Sequence, residues 1–135
     1  MTDKITKNVV AAIIIKDNLI FCAKRGGVGE CANKWEFPGG KIEKGETDEQ
    51  TIKREIKEEL DCEIEITKYL TTIHYEYHTF ILNMKVYLSK IIKGTPKKIV
   101  HLEQRFVSLD ELKTLDFLPA DKAILDTLDE EVINK

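Results

Sequence analysis

Residues 40–62 read GKIEKGETDEQTIKREIKEELDC, and this segment constrains the fold more than any other part of the chain. It starts with the glycine and charged residues of a loop and continues into a helical pattern. Thr47 followed three residues later by Gln50 is a capping-box pattern, and Asp48 and Glu49 suit the positive end of a helix dipole. The segment therefore predicts a loop that leads directly into an acidic helix over residues 48–60.

The predicted helix has an acidic side and an apolar side. At about 100° per residue, Glu55, Glu58 and Glu59 project from the same side, because they are spaced i, i+3 and i+4. The adjacent apolar stripe consists of Ile52, Ile56 and Leu60. We therefore expect the three carboxylates to lie beside the core rather than opposite it.

Three carboxylates in such proximity repel one another, and a hard cation would relieve the repulsion. Mg2+ and Mn2+ prefer oxygen ligands, so the acidic side indicates a metal site suited to phosphate chemistry. The alternative is an ordinary solvated helix, in which Lys53, Arg54 and Lys57 form charge pairs with the same acids.

The bulk properties favour one domain over residues 1–135 and restrict the class of partner. A net charge of -3 provides no general attraction to DNA or RNA, so no nucleic-acid polymer is expected as a partner. No apolar run reaches the length of a membrane span, and MTDKITKNVV lacks a signal-peptide core, so a cytoplasmic protein without membrane contact is expected. The three cysteines show no CxxC spacing and are expected to be reduced thiols.

The order of predicted elements indicates a mixed α+β fold without internal repeats. Strand patterns cover residues 8–15, 19–23, 63–75, 79–92 and 105–107. Residues 26–40 read as a glycine-rich loop, residues 108–114 as a helical turn, and residues 119–130 as a final helix.

Six positions in residues 40–62 resemble the signature of the Nudix hydrolases, namely Gly40, Glu46, Arg54, Glu55, Glu58 and Glu59. The motif NKWEFPGG at residues 33–40 further resembles the MutT-like nucleoside triphosphate pyrophosphohydrolases. This resemblance implies the Nudix α/β/α sandwich, with a mixed β-sheet between helices. Asp61 departs from the family pattern, which usually has glycine there; because aspartate tolerates a left-handed helix end, we expect only a small stability cost.

The resemblance also implies roles for residues of the site. Glu55, Glu58 and Glu59 would hold Mg2+, or Mn2+ as a substitute, together with a carbonyl of Gly39 or Gly40. Arg54 and Glu46 would support the loop and the helix.

Glu103, in HLEQRFV, matches a later glutamate that many MutT-like enzymes bring to the metals or use as a general base. Glu103 is therefore the first candidate for the general base and Glu55 the second. An exposed loop acid is the alternative interpretation of Glu103.

Four further residues are candidates for substrate contacts. Arg25 and Lys41 are placed to bind phosphate oxygens, although exposed surface cations are the alternative for both. Asp121, in LPADKAIL, matches a position at which MutT-like proteins read the base, and an ionised carboxylate would accept hydrogen bonds there; helix capping is the alternative. Trp35 is a candidate for base stacking, with core packing as the alternative.

The resemblance implies hydrolysis of a (deoxy)nucleoside triphosphate to the monophosphate and pyrophosphate, with a (d)CTP-type or 8-oxo-dGTP substrate. Two alternatives stay open: a Nudix hydrolase of nucleoside diphosphate derivatives such as ADP-ribose, and a nucleotide-sensing Nudix domain without catalysis. The complete set of acids argues against the sensor. Both a monomer and a homodimer are compatible with the sequence.

Overall fold

A computed structural model describes residues 4–134. In this range the strands are β1 Ile5–Lys16, β2 Leu19–Lys24, β3 Trp35–Glu36, β4 Gly39–Lys41, β5 Glu63–Glu76, β6 Phe80–Lys93 and β7 Glu103–Val107. The helices are α1 Asp48–Leu60, α2 Leu109–Leu112, α3 Pro119–Leu125 and α4 Glu130–Ile133. The predicted mixed α+β fold is confirmed.

Strand β1 is the centre of the sheet, whose order is β3-β2-β1-β6-β5. One edge of β1 pairs with β6 in parallel, while the other edge pairs antiparallel with β4 at Val9 to Ala11 and with β2 at Ile15 and Lys16. Strand β7 adds to β2, and β5 pairs with β6. The short strand β4 therefore brings the glycine-rich loop directly against the central strand.

Two apolar cores lie on opposite faces of the sheet, because successive side chains of a strand point to opposite sides. On β1, Ala11 and Ile13 belong to one core, and Val10, Ala12 and Ile14 belong to the other. Helix α1 covers the second core with Ile52, Ile56 and Leu60. Residues of α2, α3 and α4 pack in the first core. The sheet is therefore sandwiched between helices, as expected.

Helix α1 begins and ends as the sequence predicts. The Thr47 hydroxyl accepts a hydrogen bond from the Gln50 amide at 3.2 Å, and the Gln50 side chain accepts one from the Thr47 amide at 2.9 Å. This completes the capping box. Asp61 ends the helix in the left-handed conformation at φ 51°, and its carboxylate pairs with Lys57 and Lys97 at 3.0 Å each. These ion pairs help this aspartate to occupy the position.

The chain after residue 119 differs from the single helix predicted over residues 119–130. Helix α3 ends at Leu125, and α4 begins only after Asp129. The Asp129 side chain accepts a hydrogen bond from the Val132 amide at 2.8 Å, and the Thr127 hydroxyl donates to the Ile124 carbonyl at 2.6 Å. Both side chains bind backbone groups that a continuous helix would use, so they separate it into two short helices.

The strands agree with their predicted positions, with extensions. Strand β1 begins at Ile5 because its polar end continues to pair with β6, in a register that joins Lys7 to Leu82. Strands β3 and β4 lie in a region predicted to be loop. Cys22, Cys31 and Cys62 form no disulfide within the described chain. None of the helices in residues 4–134 is long and apolar enough to cross a membrane.

Candidate active site

Glycine is required at residues 39 and 40 because the backbone passes very close to its neighbours. A Cβ atom on Gly39 would lie 2.0 Å from the Val10 carbonyl oxygen. A Cβ atom on Gly40 would lie 2.3 Å from the carboxyl carbon of Glu55. The two glycines thus allow β4 to pair with β1 and, on its other side, allow the carboxylate of α1 to touch the loop.

Arg54 links the loop to helix α1. Its guanidinium donates to both carboxylate oxygens of Glu46, at 2.8 and 2.9 Å, and to the Lys41 carbonyl at 3.2 Å. It also donates to Glu55 at 2.9 Å and lies 3.4 Å from Glu58. The hydrogen bonds from Arg54 lower the pKa of Glu46 to about 2. The ion pair therefore remains charged over the whole neutral range.

Glu59 is the acid of α1 that lines the cavity, and only 12% of its side chain is exposed. Burial raises the pKa of Glu59 well above its ordinary value, and a hydrogen bond with Glu55 and the charge of Glu36 act in the same direction. A backbone hydrogen bond from Gly39 opposes the shift. Its Oε2 atom is buried without a hydrogen-bond partner in the described chain. Negative charge at this position is therefore incompletely compensated by the protein.

A cavity of about 560 Å³ lies beside these acids. One part of its lining is polar and includes Arg25, Glu36, Gly39, Gly40, Glu59 and His101. The other part is mainly apolar and includes Phe37, Tyr77, Phe80, Leu82, Met84, Leu118 and Asp121. Along β1 the cavity extends from Lys7, which pairs with Leu82, to Ala11, which pairs with Gly39. Four residues of strand span roughly 13 Å, a length that accommodates an elongated ligand.

Asp121 lies in this cavity and is 4% exposed. Its carboxyl group accepts a hydrogen bond from the Phe37 amide at 2.8 Å, whereas the N-cap of α3 is Leu118, so Asp121 does not cap its own helix. Burial raises the pKa of Asp121 to about 8, with a further increase from the charge of Glu36. A carboxyl group with its pKa raised in this way is mainly protonated at pH 7 and can donate as well as accept a hydrogen bond, whereas the sequence alone favoured an ionised group that only accepts.

The structure brings most of the predicted site residues together. Gly39, Gly40, Glu59, Arg25 and Asp121 line the cavity. Glu46, Arg54, Glu55 and Glu58 are joined to it through the contacts of Arg54. The Glu58 side chain is 58% exposed and thus lies at the solvent side of the acidic group.

Three candidates lie elsewhere. Glu103 is not part of the cavity lining in the described chain; its carboxylate contacts Arg105 at 2.6 and 2.8 Å, because the two residues are two apart on β7 and share a face. Trp35 is 5% exposed in the core, as expected if it serves packing. Lys41 is exposed, and it is its backbone carbonyl that contacts Arg54.

Two residues of the polar lining, Glu36 and His101, were not predicted from the sequence. Glu36 lies within the motif NKWEFPGG, between the buried Trp35 and Phe37, and this alternation was a signal that it faces the opposite side. His101 precedes Glu103 by two residues, and nothing in the local pattern distinguishes it. Tyr77 lies in the turn between β5 and β6, and Phe80 begins β6; neither position carries a local signal for a ligand site.

The sheet between helices, together with a glycine-rich loop that leads into an acidic helix, is the architecture of a Nudix hydrolase. Comparison with known proteins agrees: residues 9–127 match the NUDIX domain family, and the chain belongs to this family. The chain is 32% identical to the CTP pyrophosphohydrolase of Escherichia coli K12 over 118 residues, covering 87% of each protein. It is 33% identical to the 8-oxo-dGTP diphosphatase of the same organism over 116 residues, covering 86% of this chain and 90% of the relative.

The structural similarity is equally extensive. The crystal structure of a MutT NUDIX hydrolase from Burkholderia pseudomallei superposes with a TM-score of 0.81 at 26% identity, covering 92% of this chain and 98% of that protein. The chain is therefore a Nudix hydrolase, an enzyme class that generally uses divalent metals.

The acidic residues of this chain fit a divalent cation in their chemistry. Glu59 has a buried oxygen without a partner in the described chain, and its pKa is raised first by burial and then by the neighbouring acids Glu55 and Glu36, so a cation at this place would stabilise the charged form. Within residues 4–134, however, no three carboxylate, imidazole or thiol groups already surround a common point. Binding a metal would thus require side-chain rotation, for which the partly exposed Glu58 has room.

Proposed function

We propose that this Nudix hydrolase converts a (deoxy)nucleoside triphosphate to the monophosphate and pyrophosphate, with a (d)CTP-type or 8-oxo-dGTP substrate, and thereby sanitises the nucleotide pool. The observation that carries the proposal is one cavity of about 560 Å³ that is lined both by the acidic, glycine-rich group and by an apolar pocket with a buried carboxyl group. A charged phosphate chain suits the first group, and a flat base suits the second. The names of the two relatives described above support the same substrates.

The phosphate end depends on the acids of α1. Glu55, Glu58 and Glu59 would hold Mg2+, or Mn2+ as a substitute, with a carbonyl of Gly39 or Gly40 as a further ligand. The cation would screen the phosphate charge and activate water there. Arg54 and Glu46 would keep the acids in position, and Arg25 would bind a phosphate oxygen.

The attacking water requires a general base. Glu55 is now the first candidate, because it touches the glycine-rich loop, is linked to Glu59 and is held by Arg54. Neither Glu55 nor Glu103 lines the cavity among the described residues, but Glu103 binds Arg105 whereas Glu55 is linked to the lining residue Glu59, so Glu103 becomes the second candidate. Base catalysis requires hydrogen-bond distance to the water, so a loop movement would be needed to bring Glu103 into the site.

The base would be recognised by Asp121. As a protonated carboxyl group it can donate to one atom of a base and accept from the next. Cytosine presents an acceptor beside the N4 donor, and the six-membered ring of 8-oxoguanine presents O6 beside the N1 donor, so Asp121 fits both. Phe37 and Phe80 contribute the apolar surface on which a base would rest.

Product-resolved hydrolysis tests this proposal. CTP, 5-methyl-dCTP, 8-oxo-dGTP, dGTP and ADP-ribose are each supplied with Mg2+ at one low concentration and compared by kcat/KM, since this ratio measures transition-state discrimination. A monophosphate and pyrophosphate from a triphosphate are the expected products. AMP from ADP-ribose alone would favour an enzyme of nucleoside diphosphate derivatives. Thermal stabilisation by nucleotides without turnover would instead favour a sensor.

A further inference from the structure

His101 occupies an unusual position, since it is a buried imidazole between two partly buried carboxylates. Its side chain is 4% exposed, while those of Glu36 and Glu59 are 16% and 12% exposed. The Nε2 atom lies 3.1 Å from one oxygen of Glu36 and 3.7 Å from one oxygen of Glu59. Because a carboxylate accepts hydrogen bonds, Nε2 donates its hydrogen to Glu36, and the Glu59 oxygen lies beside this bond at a longer, ion-pair distance.

The same histidine belongs to a continuous chain of polar contacts. Arg25 donates to the other oxygen of Glu36 at 3.1 Å, so Glu36 lies between Arg25 and His101. On the far side, Glu59 is hydrogen-bonded to Glu55, which in turn accepts from Arg54 at 2.9 Å. These contacts connect the residue after β2 with β3, the segment before β7 and helix α1.

The segment that carries His101 is anchored, so the histidine is held in place from outside the site. The Leu102 amide donates to the Lys24 carbonyl at 2.9 Å, and Glu103 begins the pairing of β7 with the end of β2. The Nδ1 atom of His101 is buried and has no hydrogen-bond partner in residues 4–134. An imidazole buried with an unsatisfied nitrogen lowers stability, which suggests that it is present for function rather than packing.

We propose that His101 is a positioning residue for the metal ligand Glu59, and that it acts together with Glu36 by holding the carboxylate oriented towards the glycine-rich loop. This inference rests on the metal site of the proposed function. A ligating carboxylate whose rotation is restricted by neighbouring side chains binds its cation more tightly, since less side-chain freedom is lost on binding. Through Glu36, the same contact links the metal site to Arg25, the candidate for phosphate binding.

The inference is tested by metal binding to the full-length protein, without substrate. Metal is first removed with EDTA and dialysis, and Mn2+ is then titrated by isothermal calorimetry and by the electron paramagnetic resonance signal of free Mn2+. Three variants are compared with the wild type: His101→Leu removes the donor, His101→Gln keeps an N–H near the position of Nε2, and Glu36→Gln removes the charge of the partner. His74→Leu is the matched control, because His74 is exposed on β5.

We expect His101→Leu to weaken Mn2+ binding roughly 10- to 100-fold, the usual effect of removing a residue that orients a metal ligand. His101→Gln should retain most of the affinity, Glu36→Gln should lose part of it, and His74→Leu should bind as the wild type. The melting temperatures of the metal-depleted proteins separate positioning from folding. If His101→Leu and His101→Gln lower them equally and bind Mn2+ equally, His101 has a purely structural role and the inference is overturned.

Wild-type affinity in His101→Leu would also overturn it, as would the absence of any Mn2+ binding by the wild type. Triphosphate turnover is measured separately. A protein that turns over no triphosphate but binds Mn2+ in a His101-dependent manner would contradict the proposed function alone. If the wild type hydrolyses triphosphates and His101→Leu binds Mn2+ as tightly as the wild type, only the role of His101 is contradicted.

Discussion

Arg54 and Glu46 form a two-point ion pair, with Nε 2.8 Å from one carboxylate oxygen and a terminal nitrogen 2.9 Å from the other. Glu46 is itself held by the Glu43 amide at 3.1 Å and the Thr51 hydroxyl at 2.9 Å. A guanidinium is planar and offers several donors in fixed directions, whereas an ammonium is a single charged point. The geometry thus depends on arginine and not on positive charge alone.

Arg54→Lys should therefore reduce turnover roughly 10- to 100-fold, because one ammonium cannot orient Glu46 and Glu55 together. Steady-state kinetics with varied Mg2+ will show whether the loss lies in the apparent metal affinity, as expected. Lys53→Gln is the control, since Lys53 is exposed and pairs with Glu49 on the outer side of α1. Equal kinetics of the wild type and Arg54→Lys would contradict the role of Arg54 in positioning the acids.

Gly39→Ala and Gly40→Ala should fail in different ways. At residue 39 the added Cβ meets backbone, 2.0 Å from the Val10 oxygen, so β4 must move away from β1 and the free energy of unfolding should fall by about 1–3 kcal/mol or more. At residue 40 the Cβ meets the Glu55 side chain, which can rotate away. Gly40→Ala should therefore retain more stability and lose turnover. Urea unfolding and kcat/KM measured on both variants will distinguish these outcomes.

Asp121→Asn should change how stability depends on pH. In the unfolded chain Asp121 loses its proton near pH 4, whereas in the folded protein it keeps the proton up to about pH 8. The folded state thus binds more protons between these values, and the contribution of Asp121 to stability falls as the pH rises through this window. Asparagine stays neutral and can still accept from the Phe37 amide.

The melting temperature of Asp121→Asn, minus that of the wild type, should therefore increase from pH 4 to pH 8 and then level off. Arg25 and Glu36, whose charges act on Asp121 in the wild type, are present in both proteins, so most of their own contribution to stability cancels in this difference. A difference independent of pH would show that Asp121 is ionised in the folded protein.

Glu59→Gln should reduce turnover by orders of magnitude with little unfolding. The substitution preserves shape but removes one metal-binding charge from the cavity. Because burial and neighbouring acids already raise the pKa of Glu59, the neutral amide should be tolerated well in the absence of metal. Kinetics and thermal melts, each with and without EDTA, will test both statements. Near-normal turnover would refute the metal assignment.

Glu55→Gln and Glu103→Gln compare the two candidates for the general base. We expect the first to lower kcat strongly and the second to change it by less than about 10-fold, because a positioned base contributes roughly 10²–10⁴-fold and Glu103 is bound to Arg105. Pre-steady-state measurement of the chemical step avoids masking by product release. The reverse order of effects would favour Glu103, at the start of β7, as the general base.

The fold was largely predictable because its elements have local signals. The capping box of Thr47 and Gln50, the continuous apolar run of β1 and the alternation along β6 are all patterns of neighbouring residues. The split between α3 and α4 was not predicted, since the side chains of Thr127 and Asp129 compete with the helix only in a particular local geometry.

The site was predictable only where its residues lie in one segment. Residues 39–59 supply the glycines and acids, and the motif shows them together. His101 and Tyr77 are brought to the cavity by the pairing of strands that are distant in sequence. The spacing of residues within one segment does not predict such pairing. Asp121 was placed at the site, but its protonation depends on burial in the folded protein, which a sequence does not display.

The two faces of the sheet have consequences for how such an enzyme can change. Helix α1, which carries the acids, rests on one core through Ile52, Ile56 and Leu60, while Phe37, Leu82 and Met84, which line the proposed base pocket, belong to the other. Substitutions that reshape the pocket therefore leave the packing beneath the acids intact. A chain built in this way can acquire a new base preference by mutation in one layer while its hydrolytic apparatus is inherited unchanged in the other.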